Sequence, residues 1–254
     1  MILSFILPDT CCGVGIRRRC YIAKRPCTIV RGLVRVQTID NVLGHFMPIE
    51  LHAFDTPNGR KVSVALEEMA LPYAVKIVDI RKGDQFDSEF LKISPNGKIP
   101  AIIDPDGPNG KPVSVFESGA ILIYLGEKTG RFWPLDLEAR IPVLEWLMFQ
   151  HGGFGPIPGQ VHHFLTVDNE DDRRYGLERF SKETRRLYAV MDRRLAMQEF
   201  FADEASIADF AILGWAWRHP RHKVDLAEFP HVRRWYEMMM ARPGVQRGFA
   251  AKLS

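Results

Sequence analysis

The stretch from Ser94 to Leu125, SPNGKIPAIIDPDGPNGKPVSVFESGAILIYL, limits what this chain can fold into. It reads as turn, strand, turn, strand, turn, helix. Ser94-Pro95-Asn96-Gly97 is dense in turn formers. A short apolar strand follows over Ile99 to Ile103, with Pro100 inside it. Proline has no N–H to give a paired strand, so at a strand's start it marks a special bond, a cis peptide among the options. Asp104 to Pro112 carries three prolines and two glycines, as a hairpin loop does. Val113, Val115 and Phe116 make a second short strand, and Glu117-Ser118 opens an apolar helix with Ser118 as the expected N-cap. A helix N-terminus directly after a strand offers free N–H groups to an anion. The stretch therefore predicts a small site for an extended, carboxylate-bearing ligand.

With 254 residues there is chain for one large or two small domains. Charge is unevenly spread. Residues 1–46 hold seven Lys/Arg against two acids, net +5, and residues 47–254 hold 27 against 29, net −2. The body thus has no basic stripe to track phosphates, which argues against nucleic acid as a partner. No apolar run reaches the length of a membrane span. All four cysteines (Cys11, Cys12, Cys20 and Cys27) fall in the first 27 residues. That excludes a body built on disulfides, on a Cys-x-x-Cys pair or on a cysteine nucleophile. Thiol chemistry in the body must use a thiol that arrives with the ligand.

Residues 1–46 show no clean period and are expected to lie outside the fold, as a disordered extension, a transit segment (which Asp9 and the cysteines fit poorly) or, favoured, upstream sequence with Met47 the functional start. Ile49 to Phe54 alternates as a strand. Asp55 to Gly59 turns into a helix whose Val62, Ala65, Leu66 and Met69 recur at helical spacing. Tyr73 to Ile80 is a second strand, and Arg81 to Phe90 a charged loop anchored by Phe86 and Phe90. Strand, helix, strand, loop or short helix, strand, strand, helix predicts a thioredoxin-like α/β domain over residues 47–130. Beyond a linker at 131–137 the strand signals vanish, and 138–254 reads as an all-helical bundle. Its helices are expected at 138–151, 173–197, 206–219 and 230–241. Ser206 to Asp209 has the S-x-x-D form of a helix start. Trp215 and Trp217 read most simply as core, with the end of their helix a candidate border for a substrate pocket, and Gly152-Gly153 with Gly155 as helix termination and close packing. His162-His163 lacks a third metal ligand, so no metal is expected and the pair lines a cleft or packs.

SPNGKIPAI, FESGAILIYL and the Ser206–Asp209 start, in this order, resemble the cytosolic glutathione transferase family, over residues 49–247. DTPNGRKVSVALEE, KGDQF, GGFGPIPGQVHHF and LERFSKETRRLYAVMDRRL are similar to its nu class, the branch that includes bacterial disulfide-bond oxidoreductases and a yeast prion regulator. The resemblance implies glutathione as co-substrate, a homodimer and a cytoplasmic setting. It makes Pro100 the cis-proline and gives Ile99 the backbone pairing to the cysteinyl part. Glu117 and Ser118 take the γ-glutamyl end, the acid holding the ammonium and the serine the carboxylate. Gln85 and Lys98 fall near the glycine end, and Arg179 reaches across a dimer to a second glutathione. Where commoner classes place Tyr, Ser or Cys after the first strand, this chain offers Thr56 and Asn58. Donors of that kind can hold a thiolate without a protein base, as an oxyanion site does.

The favoured activity is reduction of disulfides by the bound thiolate, with weak conjugation to electrophiles beside it. The alternatives are an ordinary conjugating transferase and a non-catalytic regulator on the same scaffold. The regulator is known by a long Asn/Gln-rich tail, and residues 1–46 hold only Gln37 and Asn41 of that kind.

Overall fold

The computed structural model describes residues 47–254, so the expectations for residues 1–46 lie outside the described residues. Four strands form one sheet in the order β2-β1-β3-β4: β1 (Ile49–Ala53), β2 (Tyr73–Ile77), β3 (Ala101–Asp104) and β4 (Val113–Phe116). β1 runs parallel to β2 through the crossover helix α1 (Pro57–Glu68), and antiparallel to β3, which pairs antiparallel with β4. β2 ends at Ile77 rather than Ile80, because its partner β1 ends opposite at Ala53.

Alternation sends Ile49, Leu51 and Ala53 to the main core, where α1 and α3 (Ser118–Thr129) cover them. The other face is closed by α2 (Ser88–Ile93), over a small cluster of Val78, Phe90 and Ala101. Phe90 anchors the charged loop as expected; Phe86 does not, since most of its side chain faces solvent.

The remaining helices are α4 (Leu137–Gly152), α5 (Pro156–Phe164), α6 (Glu170–Leu195), α7 (Ile207–Ala216), α8 (Pro230–Met240) and α9 (Pro243–Ala250). α5 and α9 were not expected. Both start with proline at the first helical position, where the missing N–H would have had no helical partner. α6 is set by its ends: Asn169 caps it, three acids occupy its first turn and Arg193 and Arg194 its last, as the helix dipole favours. α7 is apolar nearly all round and sits at the centre, against α1, α3, α4 and α8. The Ser206 side chain and Asp209 close a reciprocal capping box at its start. The architecture is a thioredoxin-like α/β domain followed by a helical one.

α1 joins the two. Arg60 is buried and donates to the carbonyls of Gly248 and Ala251 at 3.2 and 2.8 Å, with Asp55 Oδ1 at 2.8 Å as its counter-charge. Ser63 Oγ donates to the same Gly248 carbonyl at 2.8 Å. α9 is thereby strapped along α1, whose first turn opens towards the site.

Candidate active site

The Ser94–Gly97 turn closes with a Gly97 N–H to Ser94 carbonyl bond of 2.8 Å, and Gly97 takes the φ of +60° that disfavours a side chain. Ser94 Oγ, fully buried, donates to the Lys98 carbonyl at 2.7 Å and fixes the approach to the next peptide. That peptide, Ile99-Pro100, is cis. Pro100 cannot pair, so β3 starts one residue later at Ala101.

β4 then delivers Glu117 at φ 68° and ψ 116°, a left-handed conformation that costs a side-chain-bearing residue roughly 1–3 kcal/mol. Glu117, not Ser118, is the N-cap of α3, and Ser118 is its first helical residue. The difference matters chemically. Ser118 has its hydroxyl free of any capping bond, and its N–H is one of the donors that a helix start leaves without an intrahelical partner.

Across from this turn, Thr56 caps α1: its Oγ1 accepts from the Gly59 N–H at 3.2 Å and donates to the Phe54 carbonyl at 3.4 Å. Two residues on, Asn58 accepts at Oδ1 from the Trp215 indole N–H at 3.0 Å. Indole is a donor only, so this bond decides which way the amide faces: its oxygen meets Trp215, and its NH2 group, with two donors, is left for the opposite side. Trp215 is half-buried rather than core, stacked on His162 with ring centroids 5.8 Å apart; His162 in turn stacks on His222 at 5.0 Å. Burial first, then the nearby Arg221 and Arg218, push His162 down to about 4, so it is a neutral aromatic wall.

Asn58, Asn96, Lys98, Ile99, Pro100, Glu117 and Ser118 line one cavity of about 200 Å³. Six residues expected from the sequence thus converge from three separate segments. Thr56 stands beside them at the same helix start. Gln85 does not line this cavity; it lies in a single 3-10 turn (Asp84–Phe86), its carbonyl against Gly97, its Oε1 buried with no partner among the described residues. Arg179 is apart from the group, in a separate cavity of about 540 Å³ with Ile157, Tyr175 and Arg186. A larger cavity, about 820 Å³, lies by Phe132, Asp203 and Arg242 and contains none of the expected residues. Among the described residues no group of three or more His, Cys, Asp or Glu side chains is placed to hold a metal ion, and no helix is long and apolar enough to cross a membrane.

Sequence reasoning missed Lys61 in this region, and it offered Trp215 first as core and only second as a residue bordering a substrate pocket. Lys61 is 1% exposed, and its Nζ donates to Gln150 Oε1 at 2.6 Å and to Ser118 Oγ at 3.3 Å. The cavity lining therefore includes the Asn58 amide and the Glu117 carboxylate, with a buried cation on its serine. Such an arrangement suits a zwitterionic ligand.

Comparison with known proteins agrees. Residues 56–128 match the family model for the glutathione S-transferase N-terminal domain, and residues 159–243 that for the C-terminal domain. The disulfide-bond oxidoreductase YfcG of Escherichia coli is 46% identical over 199 residues, covering 77% of this chain and 91% of that protein. A glutathione transferase from Pseudomonas putida, solved with one glutathione disulfide bound per subunit, superposes with a TM-score of 0.77 at 42% identity, covering 82% of this chain and 93% of that one. Another from Burkholderia graminis, solved with two glutathione molecules bound per subunit, gives 0.75 at 40% identity, covering 81% and 88%. With both halves of the fold matched in order, and a curated relative matched over nearly its whole length, the chain belongs to the glutathione S-transferase family.

Proposed function

We propose that the protein is a glutathione-dependent disulfide-bond reductase with weaker transferase activity towards electrophiles. The γ-glutamyl end of glutathione is held by Glu117 through its ammonium and by Ser118 through its carboxylate. The Ile99 backbone beside cis-Pro100 pairs with the cysteinyl part, and Lys98 and Gln85 serve the glycine end. The sulfur lies at the start of α1, where the Asn58 NH2 group and the Thr56 hydroxyl donate to it. The Thr56 bond to Phe54 is long for O–H···O at 3.4 Å, so that proton is available to turn towards a sulfur. Donors and a helix N-terminus lower a thiol's pKa from roughly 8.5 and so raise the thiolate fraction.

The thiolate attacks one sulfur of a substrate disulfide. A mixed disulfide with glutathione forms and the other sulfur leaves as a thiolate, which takes up a proton. A second glutathione thiolate then attacks the mixed disulfide at the glutathione sulfur, releasing glutathione disulfide and the reduced substrate. No protein cysteine is needed, and residues 47–254 contain none. Arg179 serves a second glutathione, a reading that the two molecules per subunit in the Burkholderia graminis relative support.

The observation that carries this reading is the convergence of Asn58, Lys98, Ile99, Pro100, Glu117 and Ser118 on one cavity. The test is turnover. Protein beginning at Met47 is given glutathione with bis(2-hydroxyethyl) disulfide, glutathione disulfide being read by coupling to glutathione reductase. A parallel reaction uses an aryl halide. Faster turnover of the disulfide supports the reductase; conjugation alone makes it a transferase; turnover of neither removes the enzyme reading.

The same reading makes residues 47–130 the glutathione-binding domain, 131–137 a linker and 138–254 the helical domain. It also makes the protein a homodimer: Leu137, Ile141 and Met148 are exposed along one stripe of α4, as a partner-covered face would be. Light scattering coupled to size exclusion tests this. A cytoplasmic setting follows from the need for reduced glutathione.

A further inference from the structure

Lys61 has an unusual place for a lysine. It lies in the second turn of α1, its side chain packed under Gly214 of α7, with its ammonium between Gln150 of α4 and Ser118 of α3. Both acceptors are neutral. Glu117, the carboxylate whose charge favours the ammonium, is itself exposed. A buried charge without a paired anion is costly. Nothing in the packing of α1 requires the amine, since an apolar chain of the same length would fill the space.

Besides satisfying the buried Gln150 oxygen, the ammonium does something at Ser118 that an apolar chain cannot. It has three donors and no lone pair, so the Ser118 oxygen must accept from it. The hydroxyl proton of Ser118 then has to point elsewhere. The side of Ser118 away from Lys61 is the cavity it lines with Glu117 and Ile99.

We propose that Lys61 is the positioning residue of the ligand-carboxylate site: it turns the Ser118 hydroxyl outward as a donor and supplies, through that serine, the cation that a bound carboxylate pairs with. The inference rests on the reading that this cavity takes the γ-glutamyl end of glutathione. It goes further in making the site's charge incomplete until the ligand arrives.

Burial pushes Lys61 down to about 7, against the opposing pull of Glu117. The other titratable group facing it is His151 of α4, which burial and then the Lys61 charge hold down to about 3, so it stays neutral. α7 faces it with Gly214, which carries no charge, and Ser118 and Gln150 do not titrate. Ligand carboxylate and Lys61 proton therefore stabilise each other, and by linkage the effect is reciprocal. Above neutral pH, binding draws a proton into the protein.

The experiment uses S-methylglutathione, which has the γ-glutamyl end and no thiol to titrate. Binding is measured by calorimetry at about pH 6 and about pH 8, each in two buffers of different ionisation enthalpy, to count protons taken up. Wild type takes up close to one proton at the higher pH and almost none at the lower. Lys61→Met loses that uptake, keeping only the small share due to the ligand's own amine, and binds about 10–100-fold more weakly at the lower pH. Wild type that binds with no proton uptake overturns the inference alone, as does a Lys61→Met protein of unchanged affinity. Wild type that does not bind S-methylglutathione at all overturns the glutathione reading and the inference with it. Should Lys61→Met not fold, the wild-type proton count decides.

Discussion

The indole N–H of Trp215 donates to the Asn58 side-chain oxygen at 3.0 Å, linking α7 to the first turn of α1 across 157 residues of sequence. The bond polarises the site. An unanchored asparagine can present either its oxygen or its NH2 group to a sulfur, and only the second stabilises a thiolate. Trp215→Phe keeps the aromatic stack with His162 and removes the N–H, so the amide is free to flip. The expected result is a fall in kcat of about tenfold with a much smaller change in the KM for glutathione, because the proposed γ-glutamyl contacts of Glu117 and Ser118 are untouched. Asn58→Ala removes the donor outright and should cost about 10²–10³ in kcat. The thiolate absorbance of bound glutathione, titrated with pH, checks the cause: both variants raise the pKa of the bound thiol. Equal rates across the three proteins would take Asn58 out of the mechanism.

Glu117 combines a strained backbone with a proposed binding role. It sits at φ 68°, where glycine is at ease and glutamate is not. Glu117→Gly should therefore stabilise the ligand-free protein by up to about 1 kcal/mol in thermal or urea unfolding, while raising the KM for glutathione at least tenfold through loss of the carboxylate proposed to hold the ammonium. Glu117→Gln keeps the strain and loses the charge, so it should match the binding loss without the gain in stability. A glycine variant that is no more stable than the glutamine variant would show that the turn costs the protein nothing.

Local signals were legible and distant pairings were not. The cis bond at Pro100, the helix start after β4 and the capping box at Ser206–Asp209 each occupy a few consecutive residues, and chemistry at that range is written in the residue types. α5 and α9 were hidden by prolines that look like breakers but stand at helix starts. α1 shows why. Val62, Ala65, Leu66 and Met69 mark one apolar face and carry no signal for where Arg60 and Lys61 go. In the fold α1 is enclosed by the sheet, α7 and α9, and both basic residues are buried with partners far along the chain: Gly248 and Ala251 for Arg60, Gln150 and Ser118 for Lys61. A helix packed on several sides loses the period that marks one packed on a single side. Trp215 reads most simply as core in a helix apolar nearly all round, and of its two readings the pocket border is the one nearer to its half-buried place beside Asn58.

The buried ammonium of Lys61 should also appear in the pH dependence of stability. Its folded pKa is pushed down to about 7, while the unfolded chain keeps the ordinary lysine value. Between those values the unfolded state binds more protons, so stability rises with pH in that window, by up to about 1.4 kcal/mol per pH unit. Below about pH 7 both states are protonated and the slope vanishes. Urea unfolding of the ligand-free protein from about pH 6 to pH 9 should show this rise, and Lys61→Met should flatten it. Saturating S-methylglutathione should flatten it too, by holding the lysine charged. An identical slope in wild type and Lys61→Met would mean that another group is responsible.

Asp209 gives the last test, one of structure rather than chemistry. Its fully buried carboxylate accepts from the Ser206 N–H and hydroxyl at 2.9 and 3.0 Å, from the Trp235 indole at 2.9 Å and from the Phe201 N–H at 3.3 Å. It closes the start of α7 and pins α8 and the segment before α7 to the same point. Asp209→Ala leaves these donors buried without an acceptor, which should cost about 3–5 kcal/mol. Because α7 carries Trp215 at its far end, the loss should reach the site only through unfolding. Asp209→Ala protein that remains folded at low temperature should bind S-methylglutathione nearly as wild type does, with its thermal midpoint sharply lowered. A kcat lowered in the folded fraction, with that binding intact, would mean instead that the capping box sets the position of Trp215, and through it the orientation of the Asn58 amide.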